Sequence, residues 1–223
     1  MEYSELLNIL NGFKEEEFAS FQRKLIFTKQ EILGVRTPIL RKLAKQYQKY
    51  AEDFFTFPDD IYEVTFLKLT IISALPYEEF CLYVEDCVDR MDNWGICDSF
   101  KAKCLKKHKD EFLPVLEKIF QKKGEFSQRY VLVTLLAEYV EEKYLQTVLS
   151  YIKRADKDPY YVHMAVAWLT AEICIKHYDF GVSILRSEIL PIKTHNKSIQ
   201  KSVESYRLTK EQKDFLRSLK IKK

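Results

Sequence analysis

The sequence predicts an all-α protein in which paired helices stack into a curved solenoid. No stretch shows sustained alternation of apolar and polar residues next to turn residues, so strands are not expected. Only five Gly and six Pro occur among 223 residues, and they do not cluster, which favours long helices. Amphipathic helices also alternate with helices that are apolar on every side, and helices of that kind are enclosed by others.

The first half of the chain contains one predicted helix of the enclosed kind, at 60–74. Before it, Thr37 is expected to cap a helix with Pro38 in its first turn, where the missing N–H of proline costs nothing. After it, Asp92 or Asn93 is a suitable cap for a helix that begins near Trp94. The predicted helices cover 3–10, 14–27, 38–50, 60–74, 76–90 and 94–106.

The second half contains two more enclosed helices. The helix at 126–140 is apolar almost all round yet carries Arg129 near its start, and the helix at 159–176 contains Trp168. Amphipathic helices precede and separate these two, and shorter helices follow them. The predicted helices cover 110–122, 126–140, 144–152, 159–176, 195–206 and 209–220.

The distances between the distinctive residues suggest a repeat. Trp94 and Arg129 are 35 residues apart, and Arg129 and Trp168 are 39 residues apart. Those periods match two-helix repeats of the HEAT or armadillo sort, whose inner helices line a concave face. If the inner helices carry Trp94, Asp98, Arg129 and Trp168 at matching heights, these side chains converge in one groove. The alternative is a compact helical bundle, in which both tryptophans belong to the core.

Trp94 and Asp98 lie four residues apart and therefore share a helical face. A flat ring beside a carboxylate suits a cationic or sugar-like group. The competing interpretation makes Trp94 a core anchor and Asp98 a solvated charge near a helix start, where the helix dipole favours acids.

The composition sets limits on the class of protein. Hydrophobic residues make up 47% of the chain, enough for a sizeable core, and we expect a single domain over 1–223. No apolar run is long enough to span a bilayer and no signal peptide is recognised, so we expect a cytoplasmic protein with no membrane partner. Five cysteines without a C-x-x-C pair and four scattered histidines indicate neither disulfides nor a metal site, and no cofactor is expected.

Positive charge is concentrated in two places. The net charge is only +3, but residues 193–223 carry ten Lys and Arg against three Asp and Glu. A second cluster consists of Lys101, Lys103, Lys106, Lys107 and Lys109. Basic clusters on a nearly neutral protein suggest an anionic partner, nucleic acid first, although charged runs are usually solvated helix surface.

Several motifs spread over nearly the whole chain carry a family resemblance. They are Gly34–Pro38 with Leu40–Lys45, Asn93-Trp94 with Asp98, Gln128-Arg129, Tyr160–Val162 with Ala165 and Trp168, and Asn196–Lys201. In these motifs the chain resembles the AlkD-like DNA alkylation repair proteins, which are HEAT-like-repeat alkylpurine DNA glycosylases. It departs from the family pattern at Gly95, where the best-studied type has an acidic residue, and around Trp168, at His163, Ala167 and Leu169.

The resemblance implies a DNA repair glycosylase that hydrolyses the N-glycosidic bond of N3- or N7-alkylated purines in double-stranded DNA. Asp98, Trp94 and Trp168 are then the catalytic residues, without metal or cofactor, in a protein expected to be a monomer. The expected DNA contacts are Arg129, Arg36, Lys101, Lys197 and Lys201. The alternative is a non-catalytic HEAT-repeat protein that binds DNA structures or serves as a scaffold.

Overall fold

A computed structural model describes residues 1–222, and helices make up most of the described chain. The only β pairing among these residues is an isolated parallel bridge between Glu31 and Ile61. By its internal contacts the chain divides into two compact units, here called unit 1 (Met1–Val115) and unit 2 (from Leu116 onward). The predicted all-α class is therefore confirmed.

Unit 1 contains seven α-helices and the first part of an eighth, which continues into unit 2. Two 3₁₀ turns, Gln48–Tyr50 and Lys103–Lys107, lie between them. The helices are α1 (Tyr3–Asn11), α2 (Glu16–Arg23), α3 (Thr37–Tyr47), α4 (Ala51–Thr56), α5 (Tyr62–Ile72), α6 (Tyr77–Asp89), α7 (Trp94–Ser99) and α8 (Lys109–Gln121).

Helix α5 is the centre of unit 1. Every residue of α5 except Thr70 is buried, and α3, α4, α6 and α7 all pack against it. The prediction of an enclosed helix at 60–74 is confirmed, because a helix that is apolar on every side needs neighbours on every side.

Two fully buried charged side chains on α5 hold the loops around it. The carboxylate of Glu63 accepts the backbone N–H groups of residues 33–35 at 2.8–3.2 Å. The ammonium of Lys68 donates to the carbonyl of Phe57 and to the carboxylate of Asp59, both at 2.6 Å. Each buried charge therefore has partners, as burial requires, and the loop that leads into α3 is fixed to the core.

After the end of α8, the described residues of unit 2 form three successive helix pairs. A 3₁₀ turn over Glu142–Tyr144 precedes the second helix of the first pair. The helices are α9 (Glu125–Glu138), α10 (Leu145–Arg154), α11 (Tyr160–Lys176), α12 (Tyr178–Arg186), α13 (Ile192–Val203) and α14 (Lys210–Ser218).

Helix α11 has the central place in unit 2. It packs against α9 and α13 and against its own partner α12, while α10 packs on α9 and α14 packs on α13. Gly181 allows α12 to approach α11 closely, since a Cβ at this position would lie 2.5 Å from the Cα of Cys174. The predicted enclosed helices at 126–140 and 159–176 are confirmed as α9 and α11, and their packing agrees with stacked helical repeats.

The helix predicted over 94–106 is wrong in its length. Helix α7 ends at Ser99, and the chain turns at Phe100, whose ring is buried and packs against Phe80 at a centroid distance of 5.6 Å. This tertiary contact ends the helix where local sequence preference would continue it. Of the lysines that follow, Lys101 lies on an irregular segment, Lys103, Lys106 and Lys107 lie on a 3₁₀ turn, and Lys109 begins α8.

Other boundaries also differ. Thr37 is the first residue of α3 and does not cap it; Arg36 holds the cap position without a side-chain hydrogen bond, and Pro38 lies in the first turn as predicted. Helix α2 ends at Arg23 rather than at 27, because the chain turns there towards α7, and the short helix α4 was not predicted.

A further finding concerns membranes. None of the helices formed by residues 1–222 combines the length and the apolar character that crossing a bilayer requires.

Candidate functional site

The start of α7 is fixed by two polar side chains. Asn93 caps the helix by accepting the N–H of Ile96 at 3.0 Å, as the sequence predicts. Asp92 accepts the hydroxyl of Thr28 at 2.7 Å and the backbone N–H of Lys29 at 3.0 Å. The loop that follows α2 is thereby tied to the residues that begin α7.

Trp94 lies at the surface of unit 1. Its side chain is 37% exposed, and its indole N–H donates to the backbone carbonyl of Leu25 at 3.0 Å. Leu25 is itself exposed, as are the nearby Phe21 and Phe27. The interpretation of Trp94 as a core anchor is therefore wrong, because the hydrogen bond holds one edge of the ring while the ring remains accessible.

The hydroxyl of Tyr62 explains why glycine fits next to Trp94. A Cβ on Gly95 would lie 3.1 Å from the hydroxyl oxygen of Tyr62 and 3.2 Å from the capping oxygen of Asn93. Tyr62 is buried on α5, and burial together with the neighbouring Glu63 raises the pKa of Tyr62 to about 12. A side chain at this position would therefore require Tyr62 and Asn93 to shift slightly.

Asp98 lies in the wall of a basic cavity in unit 1. Its side chain is half-buried, and the cavity has a volume of about 730 Å³. Four cationic side chains line the same cavity: Arg41, Lys45, Lys101 and Lys103. Lys101 was predicted as a DNA contact, whereas Arg41 and Lys45 were not. Their spacing of four residues on α3 places both on one helix face and is the signal that could have identified them.

Arg36 is bound to a carboxylate. Its guanidinium makes a two-pronged contact with Glu15, with nitrogen–oxygen distances of 2.7–3.1 Å, and lies 4.1 Å from the centre of the Phe18 ring. The pairing lowers the pKa of Glu15. A DNA contact by Arg36 would require exchange of this carboxylate for a phosphate.

Arg129 is the buried cation of unit 2. Its side chain is only 6% exposed, donates to the backbone carbonyl of Tyr161 at 2.9 Å and lies 5.7 Å from the centre of the Tyr161 ring. On the same helix, Glu125 accepts the backbone N–H of Tyr161 at 2.7 Å. Both side chains therefore join α9 to the first turn of α11, which gives Arg129 a structural role in addition to any contact with DNA.

Trp168 forms one wall of a cavity of about 290 Å³ in unit 2. The ammonium of Lys201 lies 6.0 Å from the centre of the Trp168 ring, within the range of cation–π attraction. An ion pair between Glu172 and Arg207, at 2.8 Å, lines the same cavity.

Lys201 lies close to further positive charges. Burial, then the charge of Lys197 and, more weakly, the charge of Arg129, lower the pKa of Lys201 below that of an ordinary lysine. Lys197 donates to the side-chain oxygen of Gln200 at 3.2 Å. This surface would be stabilised by an anion.

The predicted site residues thus form two sets. Unit 1 brings Asp98 and Lys101 together in one cavity, and Trp94 lies about one helical turn before Asp98 on the same helix without lining that cavity. Unit 2 brings together the residues Arg129, Trp168, Lys197 and Lys201. The convergence of both sets in one groove stays a prediction of the repeat spacing.

The sequence was compared with known protein families. The model of a family described as DNA alkylation repair enzyme matches residues 4–188. The matched range begins in the first turn of α1, includes α2 to α12 and ends before α13. A search of curated proteins found no match.

Proposed function

The chain belongs to the family of DNA alkylation repair enzymes, and from that premise we propose that it is a glycosylase that releases N3- or N7-alkylated purines from double-stranded DNA. One observation carries the proposal: a half-buried carboxylate, Asp98, lies in the wall of a cavity that four cationic side chains line, and an accessible tryptophan, Trp94, precedes it by four residues on the same helix. This arrangement offers phosphate contacts and a fixed negative charge within one cavity.

The substrate explains why a single carboxylate suffices. Alkylation at N3 or N7 gives the purine a positive charge, so the base departs without a general acid. The positive charge then builds on the deoxyribose, which becomes oxocarbenium-like as in glycoside hydrolysis. In the proposed mechanism Asp98 stabilises this charge and orients the water that attacks the sugar.

The two tryptophans would act through the faces of their indole rings. An indole face attracts positive charge, so Trp94 would bind the cationic nucleotide while its N–H remains bonded to Leu25. In the proposed mechanism Trp168 packs against the sugar in the same way. These contacts strengthen as positive charge accumulates, which is the requirement for lowering the barrier rather than only binding the substrate.

The cations would hold the DNA backbone. Arg41, Lys45, Lys101 and Lys103 lie around the cavity that contains Asp98, and lysine and arginine contacts with phosphate are independent of sequence. No element that would read base edges is evident in the described chain, so we propose that recognition depends on the charge of the damaged base and on the backbone.

The proposed function is tested by incubating the purified protein with methylated duplex DNA and measuring released 7-methylguanine and 3-methyladenine. We expect release of both bases at a rate above the spontaneous one, with the DNA strands left uncut. DNA binding without any base release would favour the alternative of a non-catalytic DNA-binding protein. Absence of both binding and release would favour a protein scaffold.

A further inference from the structure

Three lysines form a straight row along α13. Lys193, Lys197 and Lys201 follow one another at intervals of four residues, so they project from one helix face about 6 Å apart. None of the three forms an ion pair with a carboxylate in the part of the chain that the structure describes. The row therefore presents three positive charges over about 12 Å, and the nearby carboxylate of Glu204 acts on Lys201 without forming an ion pair with it.

The row faces α11, and the seam between the two helices ends in an aromatic ring at each end. The ammonium of Lys193 lies 6.0 Å from the centre of the Tyr160 ring, just as Lys201 lies 6.0 Å from Trp168. Below the seam the buried His163 contacts Thr194 at 2.9 Å, which fixes the register of the two helices. Tyr160 is 57% exposed and meets Tyr161 edge to face.

The surroundings of His163 also indicate where Lys197, the middle lysine of the row, lies. Burial and the charges of Lys193 and Lys197 lower the pKa of His163, so both ammonium groups lie on its side of α13. Because its pKa is lowered, the buried imidazole adds no positive charge of its own at neutral pH. The positive charge of the seam comes from the three lysines, with Arg129 acting on Lys201 from α9.

We propose that this seam is a track for one strand of duplex DNA, in which the three lysines bind phosphates of that strand and Tyr160 packs against a deoxyribose at the end remote from Trp168. Phosphates along one strand of a duplex are spaced about 3.4 Å along its axis, so a row of about 12 Å is long enough for three lysines to reach three separate phosphates of that strand. Contacts with phosphate and sugar follow a strand without reading its sequence, and they leave the bases of the duplex stacked.

The proposal rests on the proposed function for its DNA partner but extends it to new residues. Lys193 lies outside the range that the family model matches, and neither Lys193 nor Tyr160 belongs to the sites described above. The seam would fix the strand about two helical turns away from Trp168 and so set the direction in which the DNA leaves the site.

The test is the salt dependence of binding to an undamaged duplex, measured by fluorescence anisotropy for the full chain. We expect Lys193→Ala and Lys197→Ala each to reduce the slope of log K against log salt by about 0.9, the loss of one phosphate contact. Tyr160→Ala should weaken binding several-fold with an unchanged slope, because it removes no charge. All three positions are at least partly exposed, so the variants should fold.

Two matched controls are available in unit 2. Lys210→Ala on α14 removes an exposed lysine outside the seam, and Tyr206→Ala removes a fully exposed ring; both should bind as the wild type does. Unchanged slopes for Lys193→Ala and Lys197→Ala, in a wild type that binds DNA, would overturn the track and leave the proposed function intact. A wild type that does not bind DNA would overturn both.

Discussion

At Gly95, the crowding that a Cβ would meet matters more than the low helix propensity of glycine. Alanine normally stabilises a helix by about 1 kcal/mol relative to glycine. Here a Cβ would lie 3.1 Å from the hydroxyl of Tyr62, whose ring is only 5% exposed and has little freedom to move. We therefore expect Gly95→Ala to lower the free energy of unfolding by about 1 kcal/mol, as overpacking does, when measured by urea denaturation.

A change at Tyr62 supplies the control for the Gly95→Ala prediction. In a Tyr62→Phe background the nearest atom is gone, so Gly95→Ala should cost less than it does in the wild type. An equal cost in both backgrounds would mean that Tyr62 does not exclude side chains from this position, and the departure from the family pattern would need another cause.

Arg129 combines a structural and a proposed functional role. The repeat spacing predicts that Arg129 faces a groove, and in that position Arg129→Ala would weaken DNA binding and leave the fold intact. The side chain is instead 6% exposed and bonded to the carbonyl of Tyr161. We now expect Arg129→Ala to weaken binding and also to cost about 1–3 kcal/mol of stability, the range for a charged hydrogen bond and a buried acceptor left unpaired.

Thermal denaturation and anisotropy measured side by side test this prediction. Arg129→Lys retains the charge but not the planar fork, so it should recover part of the binding. Unchanged stability in Arg129→Ala would show that the bond to Tyr161 contributes little.

At the scale of helices, an ion pair ties α8 to α10. Arg154 contacts both carboxylate oxygens of Glu117 at 2.7–2.8 Å, and this hydrogen bonding is the main cause that lowers the pKa of Glu117 from 4.5 to about 2. Because the folded pKa lies below the unfolded one, the stabilisation is present above pH 4.5 and is lost as the pH falls towards 2.

We therefore expect the stability difference between wild type and Glu117→Gln to be constant near neutral pH and to shrink below pH 4.5. Both side chains are more than a third exposed, so the difference should be small and should decrease with added salt. Glu79→Gln on α6, an exposed glutamate, is the control and should show no such trend. A difference that persists at low pH would contradict the ion pair as its source.

The sequence predicts a helix correctly when the residues of that helix determine it, and less well when a distant contact does. The enclosed helices α5, α9 and α11 were predicted because an apolar surface on every side is visible in the residues themselves. The end of α7 was not predicted, because it depends on the contact of Phe100 with Phe80, which lies twenty residues earlier in the chain.

The same distinction applies to the site. The pairing of Trp94 with Asp98 follows from helical periodicity, but the cations around Asp98 come partly from α3, and their approach depends on tertiary packing around α5. The contact of Arg36 with Glu15 is likewise long-range.

At the scale of the whole molecule, the expectation of a single domain stays a prediction. The division between the two units falls inside α8, next to Pro114, so unfolding of one unit would disrupt a helix that belongs to both. Unit 1 contains Trp94 and unit 2 contains Trp168. Trp94→Phe therefore leaves the tryptophan of unit 2 as the fluorescent reporter, and Trp168→Phe leaves the tryptophan of unit 1. We expect each variant to unfold in urea with fluorescence and circular dichroism midpoints that coincide. Separate midpoints would indicate two independently folding units.

The central claim is that the charge of Asp98 drives base release, and the most direct measurement is single-turnover release of 7-methylguanine by Asp98→Asn. The substitution keeps the size of the side chain and removes its charge. We predict a rate about a hundredfold lower or more, the usual cost of losing one preorganised electrostatic partner, with binding to methylated DNA equal or slightly tighter. Asp86→Asn, an exposed aspartate on α6, should match the wild type in both. Equal release rates for Asp98→Asn and wild type would contradict the account.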